Sequence, residues 1–375
     1  SLQAQHSSGA EHIVLIDKTH PMPPQVAEVL RRLTLNETHP DVRYVYNNSA
    51  FTGFSASMGS HCLDLLANMS DISTVEKTTV VARAAVAGRQ TSLAYNTRPN
   101  APWGLQRIST ATTVAGNAQA LGYTYSFANT ALGQGADIYI IDTGIYTSHN
   151  IFNGRAKMAW SYNEDMTDSD GHGTHVSGTA GGDILGVASN ANIFGVKALD
   201  SDGGGLSSNV IAGIDFVVQQ HDARRTNANS GSLGSVMSMS LAAGSSVQAL
   251  DQAIKAAVEA GVHVVVAAGN NNQDACQSSP SSSGGVQGPA ITIGSVGITG
   301  QRSAFSNYGK CVDVYAPGED VISSWLGGPN MIKSLSGTSM ATPHVTGIVA
   351  YAMANATLAK NPSLMKEWVQ MTALQ

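Results

Sequence analysis

Three short stretches hold side chains that could do chemistry together. Asp142 ends the apolar run Ile138-Tyr139-Ile140-Ile141 and is followed by Thr143-Gly144. His172 stands between Gly171 and Gly173, at the head of a small-residue segment that reads as a helix. Ser339 lies within Gly337-Thr338-Ser339-Met340-Ala341-Thr342-Pro343-His344, just before an apolar run over 345–351. A serine hydroxyl becomes a nucleophile when a base takes its proton. An imidazole does this best when a buried carboxylate fixes its tautomer and stabilises its charged form. Ser339, His172 and Asp142 can fill these three roles, and the chemistry they make is acyl transfer. The serine segment reads as a helix start, with Thr338 as N-cap and Pro343 near the first turn, where a missing N–H does least harm. Ser339 would then lie beside backbone N–H groups that have no acceptor inside the helix and could hold an oxyanion. Alone, a serine at a helix start is an ordinary cap; the other two stretches give it chemical meaning.

Other chemistries fit less well. Asp142-Thr143-Gly144 has the form of an aspartic-protease half-site, but that mechanism needs two carboxylates sharing a proton, and no second Asp-Thr/Ser-Gly occurs. His172 and His175 lack the His-Glu-x-x-His arrangement of a zinc helix, so His175 reads as a packed helix residue. Asp168 and Asp170 before Gly171 hint at a calcium loop, yet Met166 and Ser177 stand where its first and twelfth residues should be acidic. Ala341 follows Met340, so there is no Gly-x-Ser-x-Gly elbow.

The elements that must position these residues are legible from periodicity. From residue 100 on, strand patterns (136–141, 193–199, 235–241, 262–266, 290–296, 312–316) alternate with helix patterns (210–219, 246–260, 362–374). In 246–260, Val247, Leu250, Ile254 and Val258 share one face and Gly261 stops the helix. This alternation predicts an α/β fold, a mostly parallel sheet with helices on both faces and functional groups beyond the strands' carboxyl ends. Residues 11–83 read separately as a small α+β unit: strand 12–16, helix 24–35, strands 42–46 and 51–56, helix 63–69 and a closing strand 75–81. That order, βαββαβ, is ferredoxin-like. Residues 1–10 are polar and expected to be disordered, and 84–99, without clear period, read as a linker between 11–83 and a 100–375 domain.

Composition narrows the function class. A formal charge of -6 with no basic cluster argues against a nucleic-acid partner. No apolar run approaches the roughly 20 residues of a membrane span. Asn-x-Ser/Thr sites at Asn36, Asn47, Asn68 and Asn355 lean towards a secretory route and glycosylation. The chain starts at Ser1, so any signal peptide is expected to have been removed already.

Taken together, the three motifs resemble the subtilisin-like serine proteases, and within them the proteinase K and fungal vacuolar protease (cerevisin) branch, whose chain order is also Asp, His, Ser. Asn100-Ala101-Pro102-Trp103-Gly104-Leu105 resembles the mature start of that branch, Val266-Ala267-Ala268-Gly269-Asn270 its oxyanion-hole strand, and 305–313 its cerevisin-type segment. The resemblance implies a serine endopeptidase acting on peptide and protein substrates, broad with an apolar preference before the cut, monomeric, secreted or vacuolar, and needing no cofactor for its chemistry. It implies that the Asn270 amide is a second oxyanion donor, that Gly203, Gly204 and Gly205 pair with an extended peptide, and that Ser240, Leu241, Ala242, Ala267, Ala268 and Gly269 wall the pocket before the scissile bond. The family usually has glycines where Ala242 and Ala243 stand, so either a shallower pocket or a shifted backbone is expected. It implies a bridge between Cys276 and Cys311, leaving Cys62 single, and a structural calcium ion on Asp313 with carbonyls from 281–288. Phe51-Thr52-Gly53-Phe54-Ser55-Ala56 resembles a strand of the family's propeptides. It implies that 11–83 is an intramolecular chaperone and inhibitor released by self-cleavage in 84–99, with Ala84, Ala85 and Tyr95 as candidate residues before the cut. The family usually runs on beyond the 362–374 helix. The alternative from another class is a catalytically silent, protease-like binding protein retained in complex with its propeptide, which would have no need of Asn270.

Overall fold

The protein is described from a computed structural model covering residues 9–83, 90–92 and 98–373. Residues 1–8 and most of the 84–99 linker, including the candidate cleavage residues Ala84, Ala85 and Tyr95, lie outside the described residues.

A seven-stranded sheet, parallel throughout, organises the larger part of the chain. Its spatial order is Val314–Pro317, Ile291–Val296, His263–Ala267, Gly234–Met239, Ala136–Asp142, Asn192–Lys197 and Ala156–Ser161. Every residue of Ala136–Asp142 is buried, as a strand covered on both faces requires. Its side chains alternate: Ile138 and Ile140 face the helices His172–Gly181 and Thr338–Ala352, while Tyr139 and Ile141 face Ser207–Thr226 and Gln248–Glu259. Helices on both faces are thus what the alternating pattern predicts. The helix expected at 210–219 runs further, Ser207–Thr226, and the strand expected over 235–241 breaks at Ser240. The strand Ala156–Ser161 and the antiparallel pair Val321–Ser324 with Met331–Leu335 had not been expected.

The N-terminal unit is a four-stranded antiparallel sheet in the order Val42–Asn47, Thr52–Met58, Ala10–Ile16, Ile72–Lys77. Helices Val26–Arg32 and Ser60–Ala67 close one face around Val14, Leu30, Phe54 and Leu66. The other face carries Ile13, Leu15, Tyr46 and Phe51 into the core of the Ser207–Thr226 and Gln248–Glu259 helices. The closing strand expected at 75–81 is two strands. Ile72–Lys77 completes the small sheet, and Val80–Arg83 crosses into the larger unit, because two sheets offer edges to one β-prone run. Among the described residues no helix is long and apolar enough to cross a membrane.

Three buried imidazoles brace this fold in their neutral form. His175 Nε2 meets the carbonyls of Val321 and Lys333 at 3.0 Å, His263 Nε2 that of Ala359 at 3.0 Å, and His344 Nδ1 that of Met340 at 2.9 Å. Burial pushes their pKa values down to about 3, about 4 and about 4. The unfolded chain binds protons at these rings from the ordinary value of 6.5 downward, whereas the folded chain does not. Their contribution to stability is therefore complete above that value and is lost as pH falls towards the folded values. The expected result is that the ring C–H resonances of these three histidines stay still between about pH 7.5 and about pH 5. Movement of any of them in that window would show that its ring is not held neutral.

Candidate active site

After Ala136–Asp142 the chain moves to the edge strand Ala156–Ser161 on one side, whereas after Gly234–Met239, its other neighbour, it moves the opposite way to His263–Ala267. At such a reversal the connections leave in opposite directions and open a crevice at the carboxyl ends of the strands. Asp142 is the last residue of the first strand, and Ser240 directly follows the second. The last registered pair of these two neighbouring strands is Ser238 with Ile140, two residues before Ser240 and Asp142, so both residues lie at the same end of the sheet.

Asp142 and His172 are brought together. Asp142 Oδ1 accepts from His172 Nδ1 at 2.7 Å and from the Thr143 N–H at 2.8 Å, and both side chains are fully buried. His172 is the first residue of its helix, entered through Gly171 at φ +98°, a left-handed conformation that suits glycine. Gly173 is required by close approach: a Cβ there would stand 2.1 Å from the Gly144 carbonyl oxygen. With Nδ1 donating to Asp142, Nε2 is left as the basic nitrogen, and it has no partner among the described residues.

Ser339 is the second residue of the helix Thr338–Ala352, a position whose N–H finds no acceptor within a helix. Thr338 is not the N-cap; Gly337 is, and Thr338 opens the helix with Pro343 at its sixth position. The Thr338 N–H and Oγ1 both donate to Asn270 Oδ1, at 2.9 Å each. That side-chain oxygen, from a distant loop, serves as the cap. Because the oxygen is engaged twice, the Asn270 Nδ2 group must face the other way. The Ser339 hydroxyl donates to the Ser240 carbonyl at 3.1 Å, and the Ser240 hydroxyl returns a bond to the Ser339 carbonyl at 3.0 Å. The hydroxyl therefore rests on Ser240 and not on His172. The histidine helix and the serine helix share one core, Val176 and Ala180 from the first with Ala341 and Val345 from the second.

Two positioning residues were missed. Asp168 is buried and accepts from Thr143 Oγ1 at 3.0 Å, Gly171 N at 2.8 Å and Thr174 N at 3.0 Å, and also from Thr174 Oγ1. It ties the turn after Asp142 to the start of the histidine helix; burial raises its pKa and these bonds oppose that rise. An acidic residue shortly before a helix start is a capping signal that could have found it. Asn307 accepts from the N–H groups of Asn271 and Gln273 at 3.0 Å and donates to the Ala268 carbonyl at 2.9 Å, holding the loop that carries Asn270. Nothing local marks it for that work.

The strand Val80–Arg83 lies antiparallel between Gly204–Leu206 and Leu241–Ala242. Of the three glycines expected to pair with an extended chain, Gly204 and Gly205 do so. Gly203 forms the preceding turn, and Leu206 completes the ladder in its place. Ala267 and Ala268 are buried, and Gly269, at φ +99°, leads to Asn270.

Cys276 and Cys311 are bridged, with Cα atoms 5.3 Å apart, and Cys62 is free. The bridge closes a loop of sequence separation 35. Replacing both cysteines by serine should cost roughly 4 kcal/mol on the chain-entropy account, read as a fall in the urea midpoint, with an m-value that rises because the released chain exposes more surface when unfolded. A midpoint within error of the parent's would contradict it.

Asp313, assigned to calcium by resemblance, has both oxygens engaged. Oδ2 accepts from the N–H groups of Gly285 and Thr292 at 2.8 Å, Oδ1 accepts from Gln370 Nε2 at 2.7 Å, and the Lys366 ammonium stands 3.1 Å from Oδ1. This setting does not fit a calcium ion: the carboxylate is ringed by donors, and a positive charge already faces it. Among the described residues no group of three or more His, Cys, Asp or Glu side chains is placed to hold a metal.

Comparison with known proteins shows the family. Residues 133–375 match the model of the subtilase family, peptidase S8. The subtilisin-like proteinase Spm1 of Pyricularia oryzae is 37% identical over 358 residues, 92% of this chain and 65% of that protein. The subtilisin-like serine protease Cur l 4.0101 of Cochliobolus lunatus is 37% identical over 328 residues, 85% of this chain and 61% of that protein. The chain thus spans a little under two thirds of the length of these curated relatives. A crystal structure of a cold adapted subtilisin-like serine proteinase superposes with a TM-score of 0.63 at 38% identity, covering 74% of this chain and 93% of that one.

Proposed function

We propose, from the premise that this chain belongs to the subtilase family, that it is a serine endopeptidase working through Asp142, His172 and Ser339, with Asn270 as an oxyanion donor. The observation that carries this reading is the buried 2.7 Å bond from His172 Nδ1 to Asp142. It leaves Nε2 basic and unpartnered at the crevice where Ser240 holds the Ser339 hydroxyl. A change of χ1 rotamer is enough to turn that hydroxyl from the Ser240 carbonyl, and catalytic bonds commonly tighten only once substrate is bound. Ser339 Oγ then attacks the carbonyl carbon of the scissile bond while its proton passes to His172 Nε2. Asp142 stabilises the resulting imidazolium. The tetrahedral oxyanion takes hydrogen bonds from the Ser339 N–H and Asn270 Nδ2. The C–N bond breaks as His172 gives its proton to the leaving amine. Water then repeats the sequence on the acyl ester, returning the proton to Ser339.

The N-terminal unit acts in this reading as an inhibitor that self-cleavage in 84–99 releases. Its strand Val80–Arg83 takes the place of an extended substrate in the cleft. The Glu76 carboxylate accepts from the N–H groups of Gln248 (3.1 Å) and Ala249 (2.7 Å), capping the positive end of the Gln248–Glu259 helix. Tyr44 bonds Asn209 at 3.1 Å, and Asn48 bonds Asp215. The disulfide, and the exposure of Asn36, Asn47, Asn68 and Asn355, support passage through an oxidising secretory compartment.

The test is labelling with a serine-directed phosphonate probe after the N-terminal unit has been removed. Label on Ser339 is expected. A folded, processed protein that takes no label would instead favour a catalytically silent binding protein.

A further inference from the structure

The setting that does not suit calcium is arranged around a different cation. The Lys366 ammonium donates to three backbone carbonyls, Gly285 at 2.8 Å, Gly288 at 2.7 Å and Ala290 at 2.8 Å. It also faces Asp313 Oδ1 at 3.1 Å, with the Asp313 side chain fully buried and that of Lys366 12% exposed. An ammonium has three N–H donors and no acceptor, so these carbonyls use all three. Three carbonyls and a carboxylate are the kind of hard oxygen ligands that a divalent cation takes. Here each is directed at one nitrogen at hydrogen-bond length.

We propose that Lys366 is a built-in cation. Carried in by the helix Pro362–Thr372, its ammonium fills the oxygen cage of Gly285, Gly288, Ala290 and Asp313, so the 281–290 loop and the adjoining edge of the sheet are ordered without a metal ion. A side-chain charge at this place has two physical consequences. No chelator can remove it, because it is covalently part of the chain. Its presence depends on the helix staying docked, so the loop and the helix order one another: Gln370 of the same helix bonds the other side of the same carboxylate oxygen. Loss of the ammonium would leave the buried Asp313 carboxylate without its countercharge and three carbonyls without a donor, the costly way to break a buried pair.

The experiment is thermal unfolding of the full chain, with EDTA and with millimolar calcium chloride, for the parent, Lys366→Met, Lys366→Arg and Asp313→Asn. The parent is expected to melt at the same temperature in both buffers. Lys366→Met should melt lower by about 5–15 °C in either buffer, from the loss of one partner of a buried pair in a domain of this size. Lys366→Arg keeps the charge in a shape that fits the cage less well and should fall between the two. If Lys366→Met does not accumulate as folded protein, the parent and Lys366→Arg still decide the question. A calcium shift in the parent that persists in Asp313→Asn belongs to another site and leaves the cage to Lys366. A calcium shift in the parent that Asp313→Asn abolishes overturns the proposal, as does a Lys366→Met or Lys366→Arg variant that melts with the parent.

Discussion

Replacing Ser339 by alanine should abolish peptide hydrolysis, lowering kcat by about 10⁶-fold once the N-terminal unit has been removed from both proteins, a magnitude carried over from subtilisin itself. The reason is local. With no Oγ there is nothing for His172 to deprotonate, and water must attack in its place. The proposed oxyanion donors, Ser339 N–H and Asn270 Nδ2, are backbone and neighbouring groups that the substitution leaves standing. They keep some catalysis over the uncatalysed reaction. The structural cost is small, since the hydroxyl makes one bond, to the Ser240 carbonyl, worth on the order of 1 kcal/mol. The variant should therefore fold with its N-terminal unit attached and persist as a single uncut chain, while the parent gives a shorter, active band. Steady-state hydrolysis of a chromogenic peptide, alongside circular dichroism, decides it. A folded variant within tenfold of the parent would remove Ser339 from the chemistry.

Substitutions at Asn270 should separate two functions that one side chain performs. Its Oδ1 holds the head of the serine helix through Thr338, and its Nδ2 is the proposed oxyanion donor. Asn270→Ala loses both, so kcat should fall by about 10²–10³-fold, again the scale known from subtilisin, with a loss of roughly 1–3 kcal/mol in stability. Asn270→Asp keeps an acceptor for both Thr338 donors but turns the oxyanion donor into a negative oxygen. Its kcat should fall at least as far while its melting temperature stays near the parent's. An Asn270→Asp enzyme with unimpaired kcat would mean that this amide never meets the developing charge.

The reading from sequence succeeded where an element boundary is written into a short window. An apolar run ending in Asp142, a histidine between glycines and a serine before an apolar helix each announce a strand end or helix start through local periodicity and turn residues. It went wrong where a polar group's partner is far away along the chain. Thr338 looks like an N-cap from its neighbours, but the acceptor at that helix end comes from Asn270, 68 residues earlier. The run 75–81 is rich in valine and threonine, and its propensity does not say that two sheets will divide it. Asp313 sits in a segment that resembles a calcium ligand's, while Lys366 reads as an ordinary helix lysine. Neither window mentions the other.

The amino-acid sequence by itself determined the class of fold, the order of most of its elements and the strand ends and helix starts on which Asp142, His172 and Ser339 stand, because periodicity, turns and helix starts are properties of neighbouring residues. Only the tertiary structure decided what each polar atom bonds to. It set His172 against Asp142, rested the Ser339 hydroxyl on Ser240, engaged Asn270 by its oxygen, laid Val80–Arg83 between Gly204–Leu206 and Leu241–Ala242 and put an ammonium beside Asp313. Those pairings depend on which loops the packed sheet and helices bring within about 3 Å of one another, and no local stretch of chain carries that information.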